Sequence, residues 1–310
     1  MKLAFVDYKR PDRVKFFLKY QDDFAVMSSE TAPNLKIDGF EMETIEFNTL
    51  KPKEVKRNKK PDLSFYKSLN GNLKSTYEAV EEVVLSGVLR GSAAAIHACI
   101  KEGITWWNID NGYLGKDYRV SVNETAPTEI IEGSPRFDHK IKLTPWKGGK
   151  GEYIIILPPS PYYREVFGEE NFLQKLVDDV SQLTDKPIIV RPKVLDISKR
   201  SDWNKMLSKA YCVITWGSAL ALYAMIKGVP TISLGWCPAK PASFNLEDLE
   251  TSAFLREPDR EAILNSLTWY CYNQKELPLA YSILRDKLRI GPVPFTEKTL
   301  DYFVPPQITI

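Results

Sequence analysis

Apolar residues fall along the chain in short blocks of two kinds, and the two kinds alternate. Continuous runs rich in β-branched and aromatic residues predict strands: Lys2 to Asp7, Phe24 to Met27, Ile104 to Asp110 ("ITWWNID"), "YIIILPP" from Tyr153, "PIIVRPK" from Pro187, "CVITW" from Cys212 and "PTISL" from Pro230. Segments with apolar positions at helical spacing lie between them. They are Arg13 to Tyr20, Thr76 to Leu85 with Val80, Val83 and Val84 on one side, Ser92 to Glu102 closed by Gly103, Asn171 to Leu183, Ser201 to Ala210, Ser218 to Lys227, and Asp259 to Tyr272, the last continuing beyond Asn273. Ser86 to Arg90 predicts a further short strand, and "NGYLGKDYR" after Asp110 a loop. Strand and helix in turn argue for parallel sheets.

One stretch interrupts the alternation. "PWKGGKGE" (Pro145 to Glu152) concentrates glycine, proline and lysine and reads as a linker. The predicted architecture is therefore α/β, with two Rossmann-like domains facing one another across a cleft. They cover residues 1–147 and 148–310, and the proline-punctuated C-terminal tail crosses back.

Composition narrows the function classes. The 310 residues are 44% hydrophobic and 26% charged with a formal net charge of +2, which suits a soluble globular protein and is too balanced to require a nucleic-acid partner. No apolar run approaches the roughly 20 residues of a membrane helix, so no membrane partner is expected. Cys99, Cys212, Cys237 and Cys271 lack paired spacing, so they suggest free thiols in the cytoplasm rather than a zinc site or a disulfide framework. With only two histidines, no G-x-S-x-G elbow, no G-x-x-x-x-G-K-[ST] loop and no G-x-G-x-x-G fingerprint, most common hydrolase and cofactor chemistries drop out.

The best chemical signal is in the second half. Thr215-Trp216-Gly217-Ser218 stands where a strand gives way to a helix, a position at which open α/β sheets bind ligands. Exposed amides there favour an anion, and Gly217 permits close backbone approach. Ser218 is equally able to be a simple helix N-cap. Arg191 and Lys193 leave the preceding strand at the same predicted edge, as two cations suited to a diphosphate or as two solvated bases.

The order of these pieces resembles the donor-binding segment of GT-B glycosyltransferases, especially capsule-synthesis-like and phage-encoded, DNA-modifying members. Those carry a [TN]-x-x-S turn, a helix ending in G-x-P, and a strand, matched here by Thr215, Ser218, Gly228 and Pro230. "RPK" (Arg191 to Lys193), "NIDNGYLGKDYRVSVN" and "EPDREAILNSLTWYCYNQKEL" resemble further blocks of that group, so the resemblance covers roughly residues 85 to 280. It implies a metal-independent transferase that binds a nucleotide sugar as co-substrate in the second domain, with no resident cofactor. Arg191, Lys193, Thr215, Gly217, Ser218 and Glu257 then serve the donor, with Asp259 beside Glu257 as a further contact for sugar or ribose hydroxyls.

Asp110, at the end of a strand in the first domain, is the candidate base that takes the proton of an attacking hydroxyl; "DNG" is also a strong turn sequence in its own right. Tyr113, Arg119, Lys56 and Arg57 are acceptor candidates, with Tyr118 and Asn123 nearby. Lys56 and Arg57 belong to a basic loop, Lys51 to Asp62, that is either solvated or tracks a phosphate backbone. Trp106, Trp107 and Trp146 either stack on sugars or bases or pack in the core. The acceptor favoured by the phage resemblance is a hydroxymethylated pyrimidine in double-stranded DNA, flipped out of the duplex, in the host cytoplasm. A surface or capsular glycan is the alternative acceptor, and a non-catalytic nucleotide- or nucleic-acid-binding protein of the same fold is the alternative class.

Overall fold

A computed structural model describes residues 2–7, 24–28, 80–87, 103–159, 172–191 and 202–290, together with 96, 99 and 100. The chain divides into two compact units, residues 1–125 with 269–300, and 126–268 with 301–310. Residues 126–147, expected with the first domain, thus group with the second, and residues 269–290 return to the first.

The first unit is built on a six-stranded sheet in the order β10-β5-β4-β3-β1-β2. Its strands are β1 (Lys2–Asp7), β2 (Phe24–Ser28), β3 (Val80–Ser86), β4 (Thr105–Asn111), β5 (Tyr118–Val122) and, far along the chain, β10 (Cys271–Tyr272). β1 pairs in parallel with β2 and β3, and β3 with β4; β5 runs antiparallel to both β4 and β10. Val83, Val84, Leu85, Trp106, Trp107 and Ile109 are all buried, as expected for central strands covered on both faces.

Residues 80–86 correct the helix predicted from Thr76 to Leu85. Val80, Val83 and Val84 fit a helical stripe, yet a strand buried on both faces shows no alternation by which to recognise it. Ser86 ends this strand rather than beginning another. Tyr118–Val122, expected within or beside a loop, is the antiparallel partner of β4, with Arg119 directly opposite Asp110. The long helix predicted to run past Asn273 stops at Tyr270, because Cys271 and Tyr272 pair with Arg119 and Tyr118 on the sheet edge. A separate helix follows, Ala280–Leu288. Ile96, Cys99 and Ile100 are helical, in keeping with the expected 92–102 helix, and Gly103 has φ of 65°. The predicted helix at 13–20 lies outside the described residues.

The returning segment is held by a buried carboxylate. Glu82 of β3 accepts hydrogen bonds from Trp107 Nε1 (2.9 Å) and the Tyr281 hydroxyl (2.8 Å), and forms an ion pair with Arg285. The Tyr281 ring also lies 4.6 Å from Trp107. Burial and the adjacent carboxylate push the Tyr281 phenol upward, so it remains a donor. Replacing Arg285 by alanine leaves Glu82 with neutral donors alone. The expected loss is about 1–3 kcal/mol, read from urea unfolding.

The second unit has a four-stranded, all-parallel sheet in the order β7-β6-β8-β9. Its strands are β6 (Tyr153–Leu157), β7 (Ile188–Val190), β8 (Ala210–Thr215) and β9 (Thr231–Ser233). The helices are α1 (Phe172–Leu183), α2 (Asp202–Lys209), α3 (Leu220–Ile226) and α4 (Arg260–Tyr270); we number Ala280–Leu288 of the first unit α5. Alternate residues of β6 and β8 feed two cores. Ile154, Ile156, Cys212 and Ile214 pack with Leu176 and Val180 of α1 and with Phe244 and Phe254. Ile155, Leu157 and Val213 pack with Trp203 and Leu207 of α2 and Ala224 of α3. After α3 the chain turns at Gly228, with φ of 74°, where a side chain would strike the Pro145 carbonyl.

Residues 126–152 form no strand or helix and are pinned to the second unit through backbone groups. Ile131 and Arg136 donate to the hydroxyls of Ser266 and Thr268, Thr144 to the Ile226 carbonyl, and Lys147 to the Gly228 carbonyl. The "PWKGGKGE" stretch is thus part of this unit's fold rather than a bare linker.

Candidate functional site

The strand order of the second sheet fixes where a ligand can enter. β6 has β7 on one side and β8 on the other, so the connections leave its carboxyl end in opposite directions and open a crevice there. The turn after β8 stands at that edge. Thr215 is buried and organises it: its hydroxyl donates to the Leu157 carbonyl (3.2 Å) and accepts from the Ser218 amide (3.1 Å). Ser218 Oγ accepts from the Leu220 amide at 3.2 Å and braces the start of α3, whose N-cap position is Ala219. Gly217 is glycine because a Cβ would come 2.8 Å from the Trp236 carbonyl. The close approach expected at this residue is therefore made by the protein itself. Gly217 and Ala219 are nonetheless exposed, and among the described residues no hydrogen bond takes their amides. Those two amides lie on either side of Ser218.

Arg191 follows β7 at the same edge, its amide bonded to the Ile156 carbonyl (2.9 Å) and its guanidinium 5.0 Å from the Trp203 ring of α2. Lys193, the other expected cation, lies outside the described residues. Glu257 is separated from the turn. It pairs with Arg260, whose guanidinium also bonds the Met225 and Ile226 carbonyls at the far end of α3. Seven helical residues, roughly 10 Å of helix, stand between that end and the start of α3. In this structure Glu257, expected at the donor, contacts Arg260 rather than the turn. Asp259 accepts from the Ala262 amide (2.9 Å) and caps α4.

A loop that sequence reading passed over touches the turn. Leu234 donates to the Thr215 carbonyl (2.8 Å), Cys237 Sγ contacts the Ser218 carbonyl (3.4 Å), and Lys240 Nζ donates to the Ser233 carbonyl (2.6 Å). Gly235 lies so close to Trp216 that a Cβ would come 2.7 Å from its carbonyl. Phe172, at the start of α1, meets the Trp216 ring edge-on at 4.6 Å. The signal for this loop was "GWCPAK" directly after a strand, but a single lysine there has no spacing rule to mark it.

In the first unit, Asp110 ends β4 with its side chain about one-quarter exposed. One oxygen accepts from the Asn111 amide (2.7 Å) and the other from Arg119 (3.0 Å). Arg119 is buried and committed to structure. Besides Asp110 it donates to the Asn111 carbonyl (2.7 Å) and the Thr125 carbonyl (3.0 Å), with Tyr113 4.9 Å above it. Burial opposes its charge, but Tyr113, Asp110 and Cys271 outweigh that and hold it above its ordinary value. Arg119 is thus the counter-ion of Asp110. Tyr113 is half-buried in the β4–β5 loop against that guanidinium. Lys56 and Arg57, with the basic loop, lie outside the described residues.

Other aromatic and polar candidates resolve as packing. Trp106 and Trp107 are buried in the sheet. Trp146 donates to the Phe254 carbonyl (2.9 Å) and stacks on Phe244. Asn123, at φ of 57°, closes a turn by accepting from the Trp106 amide. All four cysteines are buried as free thiols, and burial raises Cys99 and Cys212 far above the usual thiol value. The native protein should therefore release under one equivalent of thiolate from an aromatic disulfide reagent, in a time when the unfolded chain releases four. Among the described residues no three metal-ligating side chains come together, and no helix is long and apolar enough to cross a membrane.

No family model and no curated protein sequence matches the chain. Among solved structures it is similar to a Listeria monocytogenes protein assigned provisionally as a UDP-N-acetylglucosamine 2-epimerase, at 13% identity, 96% of this chain, 98% of that one and a TM-score of 0.30. It is similar also to the Methanocaldococcus jannaschii UDP-GlcNAc 2-epimerase bound to UDP-GlcNAc and UDP, at 11% identity, 92% of this chain, 100% of that one and a TM-score of 0.27. The wall teichoic acid polymerase TagF is a third, at 11% identity, 93% and 89% coverage and a TM-score of 0.27. Likeness at this level assigns no activity.

Proposed function

We propose that the chain is a nucleotide-sugar enzyme, and within that class a GT-B-type glycosyltransferase that passes the sugar to a hydroxyl acceptor. The observation that supports it is the carboxyl edge of the second sheet. A strand-order reversal there presents two exposed amides, at Gly217 and Ala219, on a turn braced by Thr215 and Ser218, with Arg191 on the same edge. Amides and a guanidinium held in place before reaction suit the charge that grows on a leaving diphosphate. The proposal gives that charge to backbone and side-chain donors, with Lys193 as a further cation, and requires no metal. Asp110 is assigned the acceptor proton, and Tyr113 a place beside the acceptor. As acceptor we propose a hydroxymethylated pyrimidine in DNA, with Lys56 and Arg57 on its phosphates.

The test is to incubate the protein with UDP-, GDP- and CMP-sugars, with hydroxymethylcytosine DNA, with a glycan acceptor, or with neither. Nucleotide release and product mass are then followed. A sugar's mass gained by the DNA nucleoside supports the full proposal. Gain on the glycan alone overturns the DNA acceptor and keeps the transferase. A second reading, a non-catalytic nucleotide-binding protein, is favoured by one observation: both Asp110 oxygens already hold hydrogen bonds. Tight nucleotide binding with no turnover of any sugar would establish it and remove the transferase.

A further inference from the structure

The loop after β9 carries a cation that neither the pattern of strands nor the [TN]-x-x-S turn accounts for. Lys240 sits half-buried in a short 3-10 helix, Lys240–Ala242, and its ammonium donates to the carbonyl of Ser233, the last residue of β9. That carbonyl belongs to the carboxyl edge of the sheet, because Ser233 is the register partner of Thr215. Ser233 also has a buried hydroxyl without a hydrogen-bond partner, as does the Trp216 indole N–H on the neighbouring strand end. The loop is tied to the turn at three points: Leu234 to Thr215, Cys237 to Ser218, and the close approach of Trp236 to Gly217.

From this placement we infer that Lys240 is a phosphate-binding residue of the nucleotide-sugar site, completing with Arg191 and the amides of Gly217 and Ala219 a cradle for a nucleoside diphosphate. The inference rests on the proposed donor site. The Ser233 carbonyl fixes the direction of the ammonium. A point charge on a fixed stem complements the planar guanidinium of Arg191, since a diphosphate presents oxygens on two phosphorus centres. Burial drives the Lys240 ammonium down from its ordinary value, against a smaller opposing influence of Cys237. A dianion brought beside it favours the charged form and opposes that shift.

The experiment compares wild type, Lys240→Gln and Lys240→Arg by calorimetric titration with UDP, GDP, uridine and inorganic pyrophosphate. Each variant's thermal unfolding is recorded. Lys240→Gln is expected to weaken the better-binding diphosphate and pyrophosphate about tenfold or more, the scale of one charge-assisted bond. Lys240→Arg should stay within about threefold of wild type, and uridine should bind all three proteins equally. Equal diphosphate affinity in wild type and Lys240→Gln overturns the inference and leaves the donor site standing. Equal losses for uridine and UDP also overturn it, because a brace for the loop would harm both ligands alike. If wild type binds no diphosphate, the donor site itself falls. Should Lys240→Gln unfold, Lys240→Met takes its place, and a pyrophosphate-to-uridine affinity ratio equal to that of wild type overturns the inference.

Discussion

Changing Asp110 to asparagine lowers transfer turnover about 10²- to 10⁴-fold, the usual contribution of a general base, while donor affinity stays within twofold. Alanine is a poorer probe. The carboxylate holds the buried Arg119, so removing the whole side chain strips a counter-ion from a guanidinium and perturbs the β4–β5 loop. Asparagine keeps the side chain's shape and one oxygen, which can serve the Asn111 amide or Arg119 but not both; it lacks the counter-charge and cannot accept the acceptor's proton. Single-turnover kinetics with saturating donor, beside a melting curve, separate the two contributions. A normal rate with a lowered melting temperature would show that Asp110 serves only to hold Arg119.

Changing Arg260 to alanine destabilises the second unit by about 3–5 kcal/mol, the cost of breaking a buried charged network. Its midpoint of unfolding should fall on the order of 10 °C. Arg260 is 4% exposed. Its guanidinium bonds the carbonyls of Thr144 (2.9 Å), Met225 (3.0 Å) and Ile226 (3.4 Å), pairs with Glu257, and lies 5.4 Å from the Trp146 ring. These tie the irregular 126–152 segment to the end of α3. Lysine recovers only part of the loss, because one ammonium cannot fork to carbonyls in different directions. Glu257→Ala costs under about 1 kcal/mol, since that carboxylate is half-exposed. Differential scanning calorimetry of the three variants checks the ranking. A Glu257 effect as large as that of Arg260 would refute it.

The second unit was readable from sequence because its strands are short, continuous apolar runs bounded by turn residues. "YIIIL", "CVITW" and "PTISL" all appear as strands within a residue or two, and α1 and α2 likewise. The turn at Thr215 was visible for the same reason: a polar break between an apolar strand and an apolar helix is local. The pieces that escaped are those set by partners distant in sequence. Val80–Ser86 carries a helix-compatible pattern and becomes a strand through β1 and β4. Cys271–Tyr272 leaves the helical register because the edge of β5 is open to it. Glu257, a donor candidate in sequence, pairs with Arg260, which bonds the carbonyls at the end of α3. Arg119, an acceptor candidate in sequence, is brought opposite Asp110 by β5.

The return of residues 269–290 to the first sheet has a practical consequence. Neither unit is a continuous stretch of polypeptide, since the chain passes between them near residues 125–126 and again near 268–269. A single protease nick at either crossing yields two polypeptides held together only by the non-covalent packing of residues 269–290 in the first unit. A truncated gene ending before residue 269 would encode a first sheet without its last edge strand and without the arginine that neutralises Glu82. Such a product should be recovered in inclusion bodies, whereas a circular permutant opened at 125–126 keeps every residue and should remain dissolved.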